Sequence, residues 1–442
     1  MLSRSSTRGA RWLQRKEFAE LAHSPAFALL LVLVSLLVGH EFISAVQTYS
    51  EMSGSGGGSS ALAQGMNPLD GILVPTFGAY DLAATLLLPF VVIRLFSSER
   101  ATGSWSVLVQ SPASVTEMVS TKVLALSGAW LLALVPGLLA VALWQSYGGH
   151  VHGAELATLV FGHLLRAAFT IALAAAAAAL TSQASTAAIL TLGITIGSWA
   201  LDFAAATRGG AWAKVAAFTP TSTLRSFEQG LIRGSTILVM AGICVFGLAV
   251  AIVWLSPGIR ARVRVSYALR ALVFFALWSG GAMSVRWSWD VTENRRHSFP
   301  AADEAMLRSL SSPLTIEVHL GAEDPRLADL RGEVLDKLER VVPKMSVRMV
   351  GAGGTGMFAS KDPRYGEVWY EYEGRREMLK SAIEPVVLET IYKLAGRRAS
   401  PVTNETSYSG YPLRSEAAFA SILFFVIWPV AVIAAWWRIR RR

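Results

Sequence analysis

Eight long apolar runs dominate the pattern of hydrophobic and polar positions along this chain of 442 residues. Each run is long enough to cross a hydrocarbon layer of about 30 Å as a helix, which takes roughly 20 residues. The predicted spans are residues 25–46, 72–96, 122–144, 157–181, 186–206, 235–256, 267–288 and 417–437. The pattern therefore predicts a polytopic all-α membrane protein with eight transmembrane helices, and the even number places both termini on one side.

A second pattern lies between helices seven and eight. Period-two alternation predicts strands at 314–320, 345–350, 367–372 and about 376–379, and helical stripes predict helices near 300–310, at 325–341 and at 383–395. The order βαβ and then ββα predicts an inserted α/β domain with a thioredoxin-like layer. The predicted parts of the chain are 1–24, an interfacial helix; 25–256, six spans; 257–288, a basic linker and span seven; 289–415, the α/β domain; and 416–442, span eight and a basic tail.

Composition and charge agree with this division. The chain is 53% hydrophobic and 16% charged, against roughly 45–50% and about 25% in soluble domains. More than half of the charged residues fall within 288–415. A uniformly basic nucleic-acid binder would not divide in this way, so no nucleic-acid partner is expected. The single cysteine, Cys244, lies in an apolar run, which excludes a disulfide framework and a CxxC redox pair.

The basic residues predict the orientation. With the N-terminus inside, 16 of the 22 Lys and Arg residues outside the α/β domain fall on inner segments. We therefore expect cytoplasmic termini in a bacterial inner membrane, and a periplasmic or extracellular segment 289–415. The first run follows a basic cluster but is too long for a signal peptide and lacks a clear cleavage site, so we expect a retained anchor.

Residues 1–24 have an amphipathic pattern. Trp12 and Phe18 alternate with polar residues such as Lys16 and Glu17, which favours a helix lying in the inner interface against lipid. The alternative is a basic flank that serves only topology.

The segment between spans two and three combines a charged end, a helix break and a proline turn. Glu99 and Arg100 end the span, Gly103 breaks the helix, and a short amphipathic piece containing Trp105 returns through Pro112. Such a piece is suited to docking on a partner protein.

Three stretches match a known family. Glu99-Arg100-Ala101-Thr102-Gly103-Ser104-Trp105, followed by Leu108-Val109, Ser111-Pro112 and Lys122-Val123-Leu124-Ala125, resembles the E-R-E-x-G-T…L-L…P…K-L-L-A signature of type-2 ABC-exporter permeases. Lys16-Glu17-Phe18 with Ser24-Pro25 resembles their start, and Thr219-Pro220 with Phe227 and Gly230 resembles their outer re-entrant region. The resemblance covers about residues 11–256. Ala101 and Ser104 depart from it, standing where Glu and Thr are usual.

This resemblance implies a permease half that depends on a separate motor. The sequence contains no G-x-x-x-x-G-K-[ST] motif, so we expect no enzyme activity and no cofactor in this chain. ATP and Mg would be bound by a cytoplasmic ABC ATPase dimer acting on a homodimer of this chain. By analogy, Glu99, Arg100, Gly103, Trp105 and Pro112, together with the interfacial helix, would receive the motion. We expect Glu99 to pair with Arg100 or with a basic group of the ATPase.

The α/β domain carries a second resemblance. Trp289-Asp290-Val291-Thr292 followed by Arg295-Arg296-His297-Ser298-Phe299, and then Pro313-Leu314-Thr315, resembles the start of gliding-motility-type ABC auxiliary subunits over about residues 285–395. Those subunits usually continue into a larger second extracellular domain, whereas this chain turns back into span eight. The resemblance implies a shortened auxiliary domain fused to a permease, with an envelope protein partner reached through 289–415.

Other candidate sites leave alternatives open. His150, His152 and Glu155, with His163 two turns beyond, are either metal ligands or part of a solvated loop. Gly351–Gly356 fits G-x-G-x-x-G, but no helix start follows, which favours a plain loop over a dinucleotide site.

Asp81, Arg166 and Asp202 lie in or near apolar runs, close to predicted outer ends. They are either functional intramembrane charges or side chains reaching the headgroups. No Ser-His-Asp set, paired carboxylates or other convergent polar cluster is visible.

The leading hypothesis is the membrane subunit of an ATP-driven exporter or mechanical complex. The alternative is a scaffold that transports nothing and passes ATP-driven motion to an envelope partner. A membrane enzyme is the third possibility, which the lack of a convergent polar cluster disfavours.

The orientation makes the first testable prediction. In a Cys244→Ser chain, Leu330→Cys should react with a membrane-impermeant thiol reagent added outside intact cells, whereas Ala261→Cys should react only after the cells are opened. Labelling of position 261 but not 330 would reverse the topology.

Overall fold

The computed structural model of this chain describes residues 3–52, 67–208, 212, 216, 218–321, 324–350, 363–397 and 417–441. Within these residues, eight helices are long and apolar enough to cross a membrane. Spans one to eight are Pro25–Glu51, Leu69–Ala101, Val115–Ser146, Gly153–Leu180, Ala184–Ala205, Gly234–Leu255, Ala261–Met283 and Ala417–Arg441. The chain is therefore a mostly helical multi-pass membrane protein, and the predicted number and order of spans are confirmed.

Three spans are interrupted. Span two consists of a π-helical turn, Leu69–Leu73, and the helices Val74–Leu86 and Leu88–Ala101; span three of Val115–Ala133 and Val135–Ser146; span eight of Ala417–Ile422, a π-helical turn Leu423–Ile427, and Trp428–Arg441. In each α-helix that follows a break, the second residue is a proline, at positions 75, 89, 136 and 429. Proline lacks the backbone N–H and clashes with the preceding turn, which explains the breaks. The helices of spans one and five continue to Met52 and Arg208.

The remaining elements are short. The helices outside the spans are α1 (Ser3–His23), α2 (Ser104–Leu108), α3 (Pro220–Glu228), α4 (Ala301–Arg308), α5 (Pro325–Leu330, continuing as Arg331–Leu335 and Asp336–Val341) and α6 (Glu384–Leu394). The strands are β1 (Leu231–Arg233), β2 (Ser288–Asp290), β3 (Leu314–Val318), β4 (Met345–Met349), β5 (Val368–Tyr372) and β6 (Arg375–Leu379). From α4 onward, every element before span eight lies where the periodicity predicts it.

The chain forms two compact units, of which the first contains residues 1–199, 220–287 and 407–442. Its apolar core comes mainly from spans one to four. The alanines between Ala172 and Ala179 in span four are buried, and a Cβ on Gly247 of span six would lie only 3.1 Å from the carbonyl oxygen of Ala172. Small residues allow this close backbone approach where lipid supplies no hydrophobic drive for association.

Span eight is fastened to span one by specific contacts. The hydroxyl of Ser35 donates a 2.8 Å hydrogen bond to the carbonyl of Phe424, which lies in the π-helical turn. A Cβ on Gly39 would lie 2.4 Å from the Cβ of Phe424, so only glycine fits there. The indole N–H of Trp428 donates to the carbonyl of Leu31 at 3.3 Å. The last span is therefore an integral part of the first unit.

The second unit contains residues 200–219 and 288–406. Its four-stranded sheet has the order β4-β3-β5-β6, with β4 parallel to β3 and the other two pairs antiparallel. Leu314, Ile316 and Val318 alternate with more exposed residues, as do Val368 and Tyr370 on β5. Their common face packs with apolar residues of α5 and α6 into one core.

Asp290 organises the opening of this α/β domain. One carboxylate oxygen accepts from the amide and the hydroxyl of Thr292, at 3.1 and 2.6 Å. The other accepts from the amide of His297 and the hydroxyl of Ser298, at 3.0 and 2.9 Å. These are the residues that carry the resemblance to the auxiliary subunits. Their local bonds give them a structural role in folding the loop.

One labelling position needs correction. Leu330 is fully buried in the α/β core, so a thiol there would be shielded from any reagent. Glu333, in the same helix, is exposed and replaces it as the outer position, with Ala261, also exposed, as the inner one.

The α/β domain should fold by itself. A fragment of residues 290–412 contains the whole sheet and its core, and about 120 residues suffice for one core. We expect cooperative thermal unfolding by circular dichroism and no thiol redox activity. A disordered fragment would mean that this core requires residues 200–219 or a partner.

Candidate functional site

Helix α1 packs one face against span three. Leu13, Glu17 and Leu21, spaced four residues apart, are all buried. The ring of Phe18 reaches Gly128 of span three, where a Cβ would lie 2.9 Å from its Cε1 atom. Trp12 is 58% exposed. The interfacial placement of Trp12 and Phe18 against lipid stays a prediction, and Glu17 lies inside instead of on the solvated face.

Five charged side chains meet where α1, span two and span three converge. This ion cluster consists of Lys16, Glu17, Glu20, Glu99 and Lys122. Two directly paired members, Glu17 and Lys122, lie 105 residues apart in the chain. Three carboxylates face two ammonium groups, so the ion cluster carries one formal negative charge.

Lys122 is the most buried cation of the ion cluster. Its Nζ lies 2.8 Å from Glu17 Oε2, 3.1 Å from Glu99 Oε2 and 3.2 Å from the carbonyl oxygen of Leu95. Its hydrogen bonds go to Glu17 and to the Leu95 carbonyl, whereas the contact with Glu99 Oε2 is an ion pair without a hydrogen bond. Burying the charge is tolerable because it is fully paired.

Lys16 links the α1 residues of the ion cluster to Glu99 of span two. Its ammonium lies 3.0 Å from Glu17 and 3.3 Å from Glu20, and it also pairs with Glu99. Burial disfavours the charged form of Lys16, but hydrogen bonds to Glu99 and Glu17 outweigh burial and raise its pKa above the usual value. Lys16 is therefore a permanent cation that fixes α1 to the end of span two.

The carboxylates of the ion cluster also have the spacing of a metal site. Single oxygens of Glu17, Glu20 and Glu99 lie within 4.8 Å of one another. However, the ammonium groups of Lys16 and Lys122 already contact these carboxylates, and they supply the positive charge that a metal would bring. The arrangement is an ion-pair network that clamps three elements together.

The loop after span two rests on this clamp. The guanidinium of Arg100 donates to the carbonyls of Ala178 and Ala179 at 2.5 and 3.2 Å, where the last turn of span four leaves acceptors free. Gly103 has a φ of 76° and is the N-cap of α2. Within α2, Trp105 packs partly against the core while Val107 is 68% exposed.

This geometry corrects the expected pairing of Glu99. Glu99 is buried and pairs with Lys16 and Lys122, not with Arg100, which caps span four instead. The exposed surface of the segment is its α2 portion and the turn at Pro112. Replacing Glu99 would therefore disturb the ion cluster as well as any docking.

A second polar cluster lies inside the spans. Arg166 donates from Nε to Asp81 at 2.7 Å and from Nη2 to the hydroxyl of Thr85 at 2.7 Å. Arg166 is 2% exposed and follows Gly153 by thirteen residues, or about 20 Å along span four. Of the two alternatives for Arg166, its burial and its pairing with Asp81 favour an intramembrane charge over a side chain that reaches the headgroups.

His163 lies one turn before Arg166 on the same helix. Its Nε2 is 3.9 Å from Glu228 Oε1 of α3, and its ring packs against Phe77 and Tyr80. The Tyr80 hydroxyl accepts from the amide of Gly137 at 2.8 Å. Burial, with the negative charge of Asp81, raises the pKa of Glu228 to about 7.

The other candidates are placed as follows. Among the described residues, His150, His152 and Glu155 do not form a group with metal-ligand spacing. Asp202, near the end of the span-five helix, accepts a 2.6 Å hydrogen bond from the hydroxyl of Thr219. The sequence stretch 351–356 lies outside the described residues.

The expectation of no convergent polar cluster is wrong, because the two clusters above draw on residues far apart in sequence. The available signal is a lone cation within or at the edge of an apolar run, at Lys122 and at Arg166. Such a charge requires a partner from another helix, but its identity depends on the packing.

Comparison with known proteins finds no match: no family model fits the chain, and neither a curated protein nor a solved structure is similar to it. The geometry of the site therefore carries the functional argument.

The ion cluster predicts a graded response to mutation. Lys122→Met leaves three carboxylates around one ammonium and should lower the free energy of unfolding by about 3–5 kcal/mol. Glu99→Gln leaves two opposed pairs and should cost less, about 1–3 kcal/mol. Thermal unfolding of the purified chain in detergent measures both.

Glu51→Gln is the matched control, because Glu51 is exposed at the end of span one and bonds only to exposed Gln47 among its described partners. We expect a change within about 0.5 kcal/mol. A Lys122→Met chain as stable as this control would mean that the ion cluster does not hold the three elements together.

Proposed function

We propose that this chain is the transmembrane subunit of an ATP-driven exporter or mechanical complex. It works as a homodimer embedded in lipid and driven by a separate cytoplasmic ABC ATPase dimer, which binds ATP and Mg. The family resemblance of residues 11–256 supports this proposal, as does the lack of a nucleotide-binding motif in the sequence.

The observation that carries the proposal is that α2 is exposed while its base is held rigidly by neighbouring helices. A docking element that transmits force must expose contact residues while its base stays rigid. Val107 is exposed on α2, Trp105 anchors the helix, and the ion cluster with Arg100 holds its base to α1 and spans two to four. A push on α2 would therefore move these helices together.

The proposed orientation follows the basic residues. Both termini and α2 face the cytoplasm of a bacterial cell, and the membrane is the inner one. Residues 289–415 are then periplasmic or extracellular. This orientation puts α1 and the ion cluster on the side where an ATPase would dock.

We also propose that the α/β domain is thioredoxin-like and contacts an envelope protein. The sheet order β4-β3-β5-β6, with a single parallel pair, supports the first point. The sequence resemblance to gliding-motility-type auxiliary subunits supports the second. The alternative, a scaffold that only transmits motion to this partner, would couple through the same α2 surface.

Gly103→Val tests the coupling surface. A β-branched residue is strained at a φ of 76°, so the variant should misdirect α2 while every span remains in place. We expect normal membrane insertion but loss of ATPase co-purification and of coupled ATP hydrolysis in the reconstituted complex.

Gly148→Val is the matched control. Gly148 also has a positive φ, 89°, and open space around it, but it lies in the loop between spans three and four, at the opposite end. This variant should keep both properties. Normal co-purification and hydrolysis with Gly103→Val would remove the coupling assignment. If the wild-type complex binds the ATPase but vesicles that contain it take up no candidate substrate, the alternative of a scaffold that only transmits motion is favoured.

A further inference from the structure

Helix α3 packs unusually closely against span four. A Cβ on Gly162 would lie 2.6 Å from the Cβ of Phe227, so the two helices touch where span four has no side chain. The rings of Phe161 and Phe227 meet edge to face at 5.5 Å. The next residue on span four is His163 and the next residue on α3 is Glu228. The close contact between Gly162 and Phe227 therefore places His163 opposite Glu228.

The polar atoms at this contact are incompletely satisfied. His163 is 1% exposed, and neither of its ring nitrogens has a hydrogen-bond partner among the described residues. Its Nε2 lies 3.9 Å from Glu228 Oε1, which is too far for a hydrogen bond. Buried polar groups are normally hydrogen-bonded. The His163 ring would need an added proton or a shorter distance to Glu228 to gain a hydrogen bond.

The surrounding charges favour a neutral pair. Asp81 of span two and Arg166 of span four pair with each other at 2.7 Å, and the negative charge of Asp81 still acts on Glu228. Glu228, whose side chain is 16% exposed, faces His163, and Arg225 of its own helix partly offsets its negative charge. The other titratable groups on these elements are Glu155 of span four, Arg225 of α3, Cys244 of span six, and, on span two, Asp70, Tyr80, Arg94, Glu99 and Arg100.

We propose that His163 and Glu228 form a buried proton-binding site between span four and α3. One proton from the adjacent aqueous phase binds the Glu228 carboxylate, and the resulting O–H group donates to a ring nitrogen of neutral His163. No bond other than this O–H bond forms, and the buried negative charge disappears. The site does not depend on the ATPase or on the proposed function.

The pH range follows from the environment of Glu228. Burial is the main cause that raises its pKa from 4.5 to about 7, the charge of Asp81 adds to it, and Arg225 opposes it. Because the packed state binds the proton more tightly than the unpacked one, packing of α3 is most favourable below pH 4.5. This advantage is lost as the pH rises towards 7.

Infrared spectroscopy of the purified full chain tests the site directly. The C=O stretching band of a protonated carboxyl group should be present in acid and should titrate away with a midpoint at about pH 7. Glu228→Gln should lose this band. His163→Phe should shift its frequency, because the carboxyl O–H then lacks its acceptor, whereas a purely structural histidine would leave the frequency unchanged.

Glu333→Gln is the matched control, since it makes the same change at an exposed helical position and should leave the band intact. The wild-type titration decides the matter even if a variant fails to fold. The proposal is overturned if wild type has no carboxyl band near neutral pH, if the band survives Glu228→Gln, or if its frequency is the same in His163→Phe.

Discussion

A charge buried away from water must be paired, and this constraint decides how the helices around Lys122 are arranged. The Lys122 ammonium donates hydrogen bonds to Glu17 and to the carbonyl of Leu95 and forms an ion pair with Glu99, so its partners come from α1 and span two. None of these elements can move away alone without leaving a charge unpaired, which is far more costly than losing an exposed ion pair. Helix α1, which precedes the first span, is in this way held to spans two and three.

The same constraint acts at Arg166 with a different result. In the ion cluster, Lys16 and Lys122 each lie within 3.3 Å of two carboxylates. Arg166 satisfies Asp81 and Thr85, but the neighbouring His163 and Glu228 stand 3.9 Å apart. A network of close ion pairs is suited to rigid support, whereas a buried pair that is not yet hydrogen-bonded is suited to titration. Two polar clusters of one protein can therefore have different roles.

The sequence predicts the elements of this protein better than their contacts. Apolar length and period-two alternation reflect local burial, so they locate the eight spans and strands β3 to β6. The partners of a charge depend on the packing of distant segments. Nothing near Glu99 in the sequence indicates Lys16 or Lys122, so the adjacent Arg100 is the natural choice, and it is wrong. The burial of Leu330 and the depth of Arg166 escape prediction for the same reason.

Spans two and four are joined at two levels, and this limits how they can move. Asp81 pairs with Arg166 within the spans, and Arg100 caps Ala178 and Ala179 at the end of span four. Sliding or rotating one span against the other would break a buried ion pair and uncap a helix end together. A displacement imposed at α2 must therefore carry both spans as one body. Because His163 lies on span four and Glu228 on α3, the packing of α3 against span four sets the distance between these two side chains.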